Sequence, residues 1–207
     1  MPTLAEISSS IRGAWQLFVM DARGMHQFNV TSAGFWNSFF AAVILAPIYF
    51  FVLLAQYKLN SDVQKLALEQ DPTNTAIPDI PALSDYLLTQ GLAYVALWAA
   101  FPIVMLWATR LFDIQSRYVP FVVAYNWSSV PVMTLQLPPF ALYYFGIVEV
   151  VGAVAPLLSL LLVIMIYRWY VAYAALGMPV AACLGFVMLD FVVSVIIQIG
   201  ASTLLTL

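Results

Sequence analysis

Charge is what this chain has least of. Only 8% of its 207 residues are Asp, Glu, Lys or Arg, where soluble domains carry about a quarter. Its net charge of −3 forms no basic cluster, so no nucleic-acid partner is expected. The one cysteine, Cys183, excludes an intrachain disulfide. The one histidine, His26, has no neighbouring cysteine or second histidine to complete a zinc set, so no metal site is assigned. The chain also lacks G-x-S-x-G, H-E-x-x-H, a phosphate-binding glycine loop and C-x-x-C. No catalytic residue and no cofactor follow from it, and the protein is not expected to be an enzyme. The opening residues MPTLAEISSSIRGAW lack a basic stretch followed by an apolar one. No cleavable signal peptide is expected, and the apolar segments themselves are expected to direct insertion.

What the chain has instead is apolar surface. Hydrophobic residues make up 64% of it, more than a water-soluble fold of this length can hide. The expected class is all-α, a polytopic helical membrane bundle with the lipid bilayer as solvent. Residues 1–32 read as a cytoplasmic amphipathic segment. Ile7, Ile11, Ala14, Trp15, Phe18, Ala22 and Met25 recur at helical spacing, which predicts one helix from residue 4 to about 28. Such a helix lies on the membrane surface or against the bundle, or binds a partner.

Residues 33–207 read as a membrane domain of five transmembrane helices, at about 33–56, 86–109, 119–144, 148–168 and 187–207. Ala42 and Ala46 in the first span form a pair of small residues suited to close helix approach. Residues 57–84 form a polar loop holding Lys58, Asp62, Lys65, Glu69, Asp71 and Asp79. A short helix is expected there up to Asp71-Pro72, then an extended, proline-stiffened loop. Gly177 and Pro179 have the stop-then-start order of a tight helical hairpin turning near Met178. Arg110, Asp113 and Arg117 stand at helical spacing and are expected to pair.

Several residues are costly in lipid. Asp190 is the foremost, at ~2.5 kcal/mol or more on insertion scales. With the hairpin centred at Met178, Arg168 and Asp190 differ in height by only ~3 Å at the helical rise per residue. This predicts a structural ion pair, Arg168 with Asp190. Cys183, Asp190, Ser194, Gln198 and Ser202 make one polar stripe on the last span. The third span presents Asn126, Ser129 and Gln136, with Pro131, Pro138 and Pro139 interrupting it. A kink is expected between Ser128 and Pro131, and the helix end at Pro138-Pro139. A polar cleft between the third and fifth spans would place Asn126, Ser129, Asp190 and Ser194 as binding residues, and Gln136 and Gln198 in a matching layer. The simpler reading of the same residues is interhelical hydrogen bonding, worth ~0.6 kcal/mol per contact.

Orientation follows from the basic residues. Arg12, Arg23, Arg110, Arg117 and Arg168 fall on one side of a five-span topology and Lys58 and Lys65 on the other. The positive-inside bias then places the N-terminus in the cytoplasm and the C-terminus on the far side, in the inner membrane for a bacterial cell. On that topology the triplets Asn29-Val-Thr31 and Asn126-Trp-Ser128 are not glycosylation acceptors.

With the spans placed, the chain resembles the Yip family of small five-span membrane proteins, in particular its bacterial members. The shared features are the short cytoplasmic N-terminal segment, the five spans, the N-in, C-out topology, and the closing helices joined at Ala175-Leu176-Gly177. The acidic-Leu-Tyr-Gly-Pro signature of eukaryotic members has no counterpart, so the resemblance assigns no binding residues. It implies a non-enzymatic scaffold, assembly or trafficking factor acting through helix–helix contacts with a membrane-protein partner or a second copy. The alternative is a small transporter or transporter subunit that takes a small solute into the polar cleft.

Overall fold

The computed structural model describes residues 1–71 and 80–204. Among them the chain is helical, with no strand. The helices are α1 (Leu4–Phe18), α2 (Ser32–Ser38), α3 (Phe40–Gln70), α4 (Leu83–Leu111), α5 (Tyr118–Tyr144), α6 (Val150–Leu176) and α7 (Val180–Leu204). Four segments are long and apolar enough to cross a membrane: Ser32–Gln70, α4, α6 and α7. Their outward faces stay apolar and exposed, as at Val95, Leu162 and Ile196, which is the arrangement of a multi-pass membrane protein.

The middle of the bundle is α5, which packs against α1, α2, α3 and α6. Phe121, Val122, Val123, Ala124, Asn126, Trp127 and Ser128 are all buried along it. The helix is not broken at 128–131, and the expected end at Pro138-Pro139 does not occur. The helix runs unbroken to Tyr144 with its three prolines inside. Each proline removes a donor, but neighbouring helices hold the segment, and no water competes for the freed carbonyls in a bundle interior. Ser128 Oγ donates to the Tyr125 carbonyl (2.6 Å) and Thr134 Oγ1 to that of Val130 (2.8 Å), either side of Pro131.

One end of the bundle gathers the N-terminal segment, the α4–α5 turn and the α6–α7 turn. The helix expected over residues 4–28 divides in two. α1 stops at Phe18, Met20 takes a left-handed φ of 60°, and a 3-10 turn follows over Ala22–Gln27. The turn folds back on α1 where Gly13 meets Gly24. A Cβ on Gly24 would come 2.5 Å from the Gly13 carbonyl oxygen, and one on Gly13 would come 2.8 Å from that of Gly24. Ala14 and Leu17 are fully buried beneath, so α1 lies against the bundle. Tyr167 donates to the Ala14 carbonyl (2.9 Å) and Tyr170 to that of Met20 (2.6 Å). Glu6 ties α1 to the next segment by accepting from Asn29 (3.1 Å) and Asn37 (3.0 Å).

Asp21 caps the 3-10 turn by accepting from the Arg23 amide, and Arg23 also binds it through its side chain. These hydrogen bonds hold the Asp21 carboxyl below the usual carboxylate range. A depressed folded pKa means the cap contributes fully above the unfolded pKa near 3.9 and is lost as pH falls through the folded value. The protection factors of the amides in residues 22–24, with the intrinsic slowing of exchange at lower pH divided out, are therefore expected to stay constant from neutral pH to about pH 4 and to fall only at more acidic pH.

At the same end, Arg110, Asp113 and Arg117 do not pair. α4 stops at Leu111 and Asp113 sits at a left-handed φ of 59°, so the three do not share a helical face. Arg110 packs over the Trp107 ring instead, at 5.6 Å. The hairpin turn carries Gly177 at φ 64°, ψ 29°, the left-handed cap that glycine takes without strain.

The opposite end departs from expectation at α3. Its helix does not finish at residue 56 but continues through the polar stretch to Gln70. Lys65 pairs with Asp62 at 3.2 Å on this extension, and the sequence holds no proline between Pro47 and Pro72 to disfavour helix at its predecessor. Tyr143 donates to Asp62 (2.6 Å) and Lys58 to the Tyr144 carbonyl (3.3 Å), which holds the ends of α3 and α5 together. The proline-stiffened loop expected after Asp71 falls on residues 72–79, outside the described residues.

Candidate functional site

Tyr125, Ser128 and Ser129 share one face of α5 at spacings of three and four. Arg168 of α6 reaches that face. Its Nη1 donates to the Tyr125 carbonyl (3.0 Å) and to Ser128 Oγ (2.6 Å), and its Nη2 to Ser129 Oγ (3.1 Å). The guanidinium carbon also lies over the Tyr125 ring, 4.0 Å from its centre, a cation–π contact. The Tyr125 hydroxyl then donates to Asp190 Oδ1 of α7 at 2.5 Å.

The expected Arg168–Asp190 ion pair is therefore not a direct one. Among the described residues the two make no contact within 4.0 Å, and the ion pairs are Arg23–Asp21 and Lys65–Asp62. Helical rise sets the heights of two residues but not the lateral gap between their helices. The Tyr125 ring fills that gap, so cation, aromatic ring and carboxylate stand in series.

This cluster borders a cavity of about 430 Å³ lined by all five long helices, α3 to α7. Asn126, Ser129, Asp190 and Ser194 all line it, as does Gln136. Asn126 has a structural duty as well. Its Nδ2 donates to Ser38 Oγ of α2 (2.9 Å), and the residue is 1% exposed. Gln198 lies elsewhere, in a second groove between α4 and α7 with Gln90 and Ser202, so Gln136 and Gln198 do not form one layer. The rest of the cavity wall is apolar and aromatic. Tyr49 and Tyr94 stack at 4.2 Å, with Trp98 and Phe101 beyond them. Tyr94 also donates to the Ala42 carbonyl at 2.8 Å, at the small-residue site of the first span.

Bonding capacity in the cavity is unevenly spent. Arg168 donates three hydrogen bonds, while Asp190 accepts one, on Oδ1. Among the described residues, the side chains of Gln136 and Ser194 make none. Unpaired polar groups are costly in a medium without water, so this wall suits a polar guest. No group of three His, Cys, Asp or Glu residues able to hold a metal occurs among the described residues.

The central member missed by the sequence reading is Tyr125. Its signal was present, because it precedes Ser128 and Ser129 by three and four residues and so shares their face. No protein-family model matches the chain, and no curated protein or solved structure matches it.

Proposed function

We propose that the chain is a five-span integral membrane protein, N-terminus cytoplasmic, that binds a small polar solute in the central cavity as a small transporter or transporter subunit. The observation that carries this reading is the Arg168–Tyr125–Asp190 series set in the wall of a cavity lined by five long helices. Intramembrane ionisable residues beside such a space are functional candidates by default. The count of five spans rests on α5. Its 27 residues extend about 40 Å, between the same two bundle ends as α3 and α6. It is less apolar than its neighbours because it is wrapped by them and meets little lipid. The orientation is supported by Arg12, Arg23, Arg110 and Arg117 at the end where the N-terminal segment docks.

The test is a thermal-shift panel of small solutes on protein purified in mild detergent. A solute at about 100 times its Kd stabilises by about 2.7 kcal/mol. Asp190→Asn is expected to remove that shift while the unliganded protein melts near the native temperature. A panel without any shift would sink the reading.

A second reading, the Yip-like scaffold, is favoured by the groove between α4 and α7. There Gln90, Gln198 and Ser202 lie on the outer surface, where a partner helix or a second copy could meet them. The hairpin at Ala175-Leu176-Gly177 agrees with that architecture. Co-purification of a stoichiometric membrane partner would support it.

A further inference from the structure

The α4–α7 groove and the central cavity are neighbours. Both are lined by Phe191 and Ser194, so the two spaces adjoin at one point on α7. From there Asp190, Ser194, Gln198 and Ser202 follow one another at intervals of four residues, one helical turn each. The row extends about 18 Å from Asp190 to Ser202, near the end of α7, and Gln90 faces it from α4. On the outer faces of α7 at the same depths stand the exposed apolar residues Val192 and Ile196. Within the groove the polar row runs beside the apolar side chains of Phe191, Val195 and Ile199.

We infer that this groove is a one-sided aqueous route from the α7 C-terminal end to Asp190, admitting a small hydrophilic cation. The inference rests on the cavity's role as a binding site and adds the direction of entry and the charge of the guest. A scaffold interface would need polar groups at the surface alone, with no reason to continue inward to a carboxylate. The charge follows from which group remains open. Arg168 is held by three hydrogen bonds and lies over the Tyr125 ring. Asp190 keeps Oδ2 without a hydrogen bond among the described residues, on the same helix face as the row. The aromatic wall of Tyr49, Tyr94, Trp98 and Phe101 is suited to an organic ammonium, which aromatic faces attract.

Cysteine labelling tests this in the full chain. Native Cys183 is fully buried, so the unmodified protein supplies the baseline. Ser194→Cys, Gln198→Cys, Val192→Cys and Ile196→Cys are each exposed to membrane-impermeant methanethiosulfonates in sealed vesicles of both orientations. The groove positions are expected to react at least ten-fold faster than the lipid-facing pair, and from the α7 C-terminal side alone. At Ser194→Cys a trimethylammonium reagent is expected to outpace a sulfonate reagent several-fold, and adding Asp190→Asn should narrow that ratio.

Equal rates at positions 194 and 196, labelling from the other side, or a faster sulfonate reagent would overturn the inference. So would disulfide-linked dimers of Gln198→Cys, which would show a second copy seated in the groove. Should Ser194→Cys fail to fold, the exposed Gln198 and the neighbouring Ser202→Cys still report on the route. An unlabelled groove with solute-induced thermal shifts sinks the route and leaves the cavity reading standing. Labelling without any shift sinks the cavity reading and the bound cation with it, and leaves only a hydrated groove.

Discussion

Arg168→Ala is expected to lower the stability of the purified protein by about 3 kcal/mol, the low end of the scale for stripping one partner from a buried charge pair, because this network is part-buried. The guanidinium joins α6 to α5 through Ser128, Ser129 and the Tyr125 carbonyl and covers the Tyr125 ring. No other side chain supplies those contacts together. Lysine offers a point charge without the planar fork, so Arg168→Lys should recover less than half of the loss. Asp190→Asn separates the observed geometry from a direct ion pair. In a direct pair it would be about as damaging as Arg168→Ala. With Tyr125 between them, the tyrosine hydroxyl still donates to the asparagine carbonyl, and the loss should stay below about 1 kcal/mol. Tyr125→Phe keeps the ring under Arg168 but strips Asp190 of its donor, at a cost of about 1–2 kcal/mol. Thermal melts of the four variants in one detergent give the order. If Asp190→Asn proves as harmful as Arg168→Ala, the series arrangement is wrong.

The second large effect lies at the N-terminal end. Gly24→Leu should detach the 3-10 turn from α1. Its Cβ alone would stand 2.5 Å from the Gly13 carbonyl oxygen and 3.0 Å from Leu17 Cγ. Backbone cannot yield there without opening the docked segment, and overpacking of this kind costs about 1–3 kcal/mol. The readout is limited proteolysis of membranes, with cleavage within residues 1–32 quickened several-fold. Gly34→Ala is expected to act the same way, since its Cβ would fall 1.9 Å from the Asn29 carbonyl. Gly91 supplies the opposite control. A Cβ at this mid-helix position of α4 meets nothing within 4 Å, so Gly91→Ala should stabilise by about 0.5–1 kcal/mol. Cleavage of the Gly24 variant at the native rate would show that the segment does not depend on this contact.

Much of the scaffold was legible in the residues. Apolar runs announced α4, α6 and α7, and Gly177-Met178-Pro179 announced the turn. The polar stripe of α7 followed from its spacing of four. Other features were not legible, each for a definite reason. Pro131 and Pro138-Pro139 read as breaks because proline is judged against a helix in water, whereas α5 is held by its neighbours. The left-handed turn at Met20 had no local signal, because methionine does not favour that conformation and the Gly13–Gly24 contact across the turn requires it. The helix up to Asp71 was legible, but its continuity with the first span was hidden by charge. Lys58, Asp62, Lys65 and Glu69 mark the exit from an apolar run without ending a helix.

The ion pair shows where sequence reasoning stops. Spacing and rise put Arg168 and Asp190 at similar heights, and that depends on one helix and its turn alone. Which side chain stands between them depends on the lateral placement of a third helix, and Tyr125 entered by that route. The sequence by itself determined that this chain is helical, rich in lipid-compatible faces, and burdened with a few polar residues at regular intervals, because those properties are local and periodic. The tertiary structure decided that α5 lies at the centre, that cation and carboxylate meet through an aromatic ring, and that their cavity adjoins a groove carrying Gln90, Gln198 and Ser202. Those outcomes depend on distances between helices, which no periodicity along a single helix encodes.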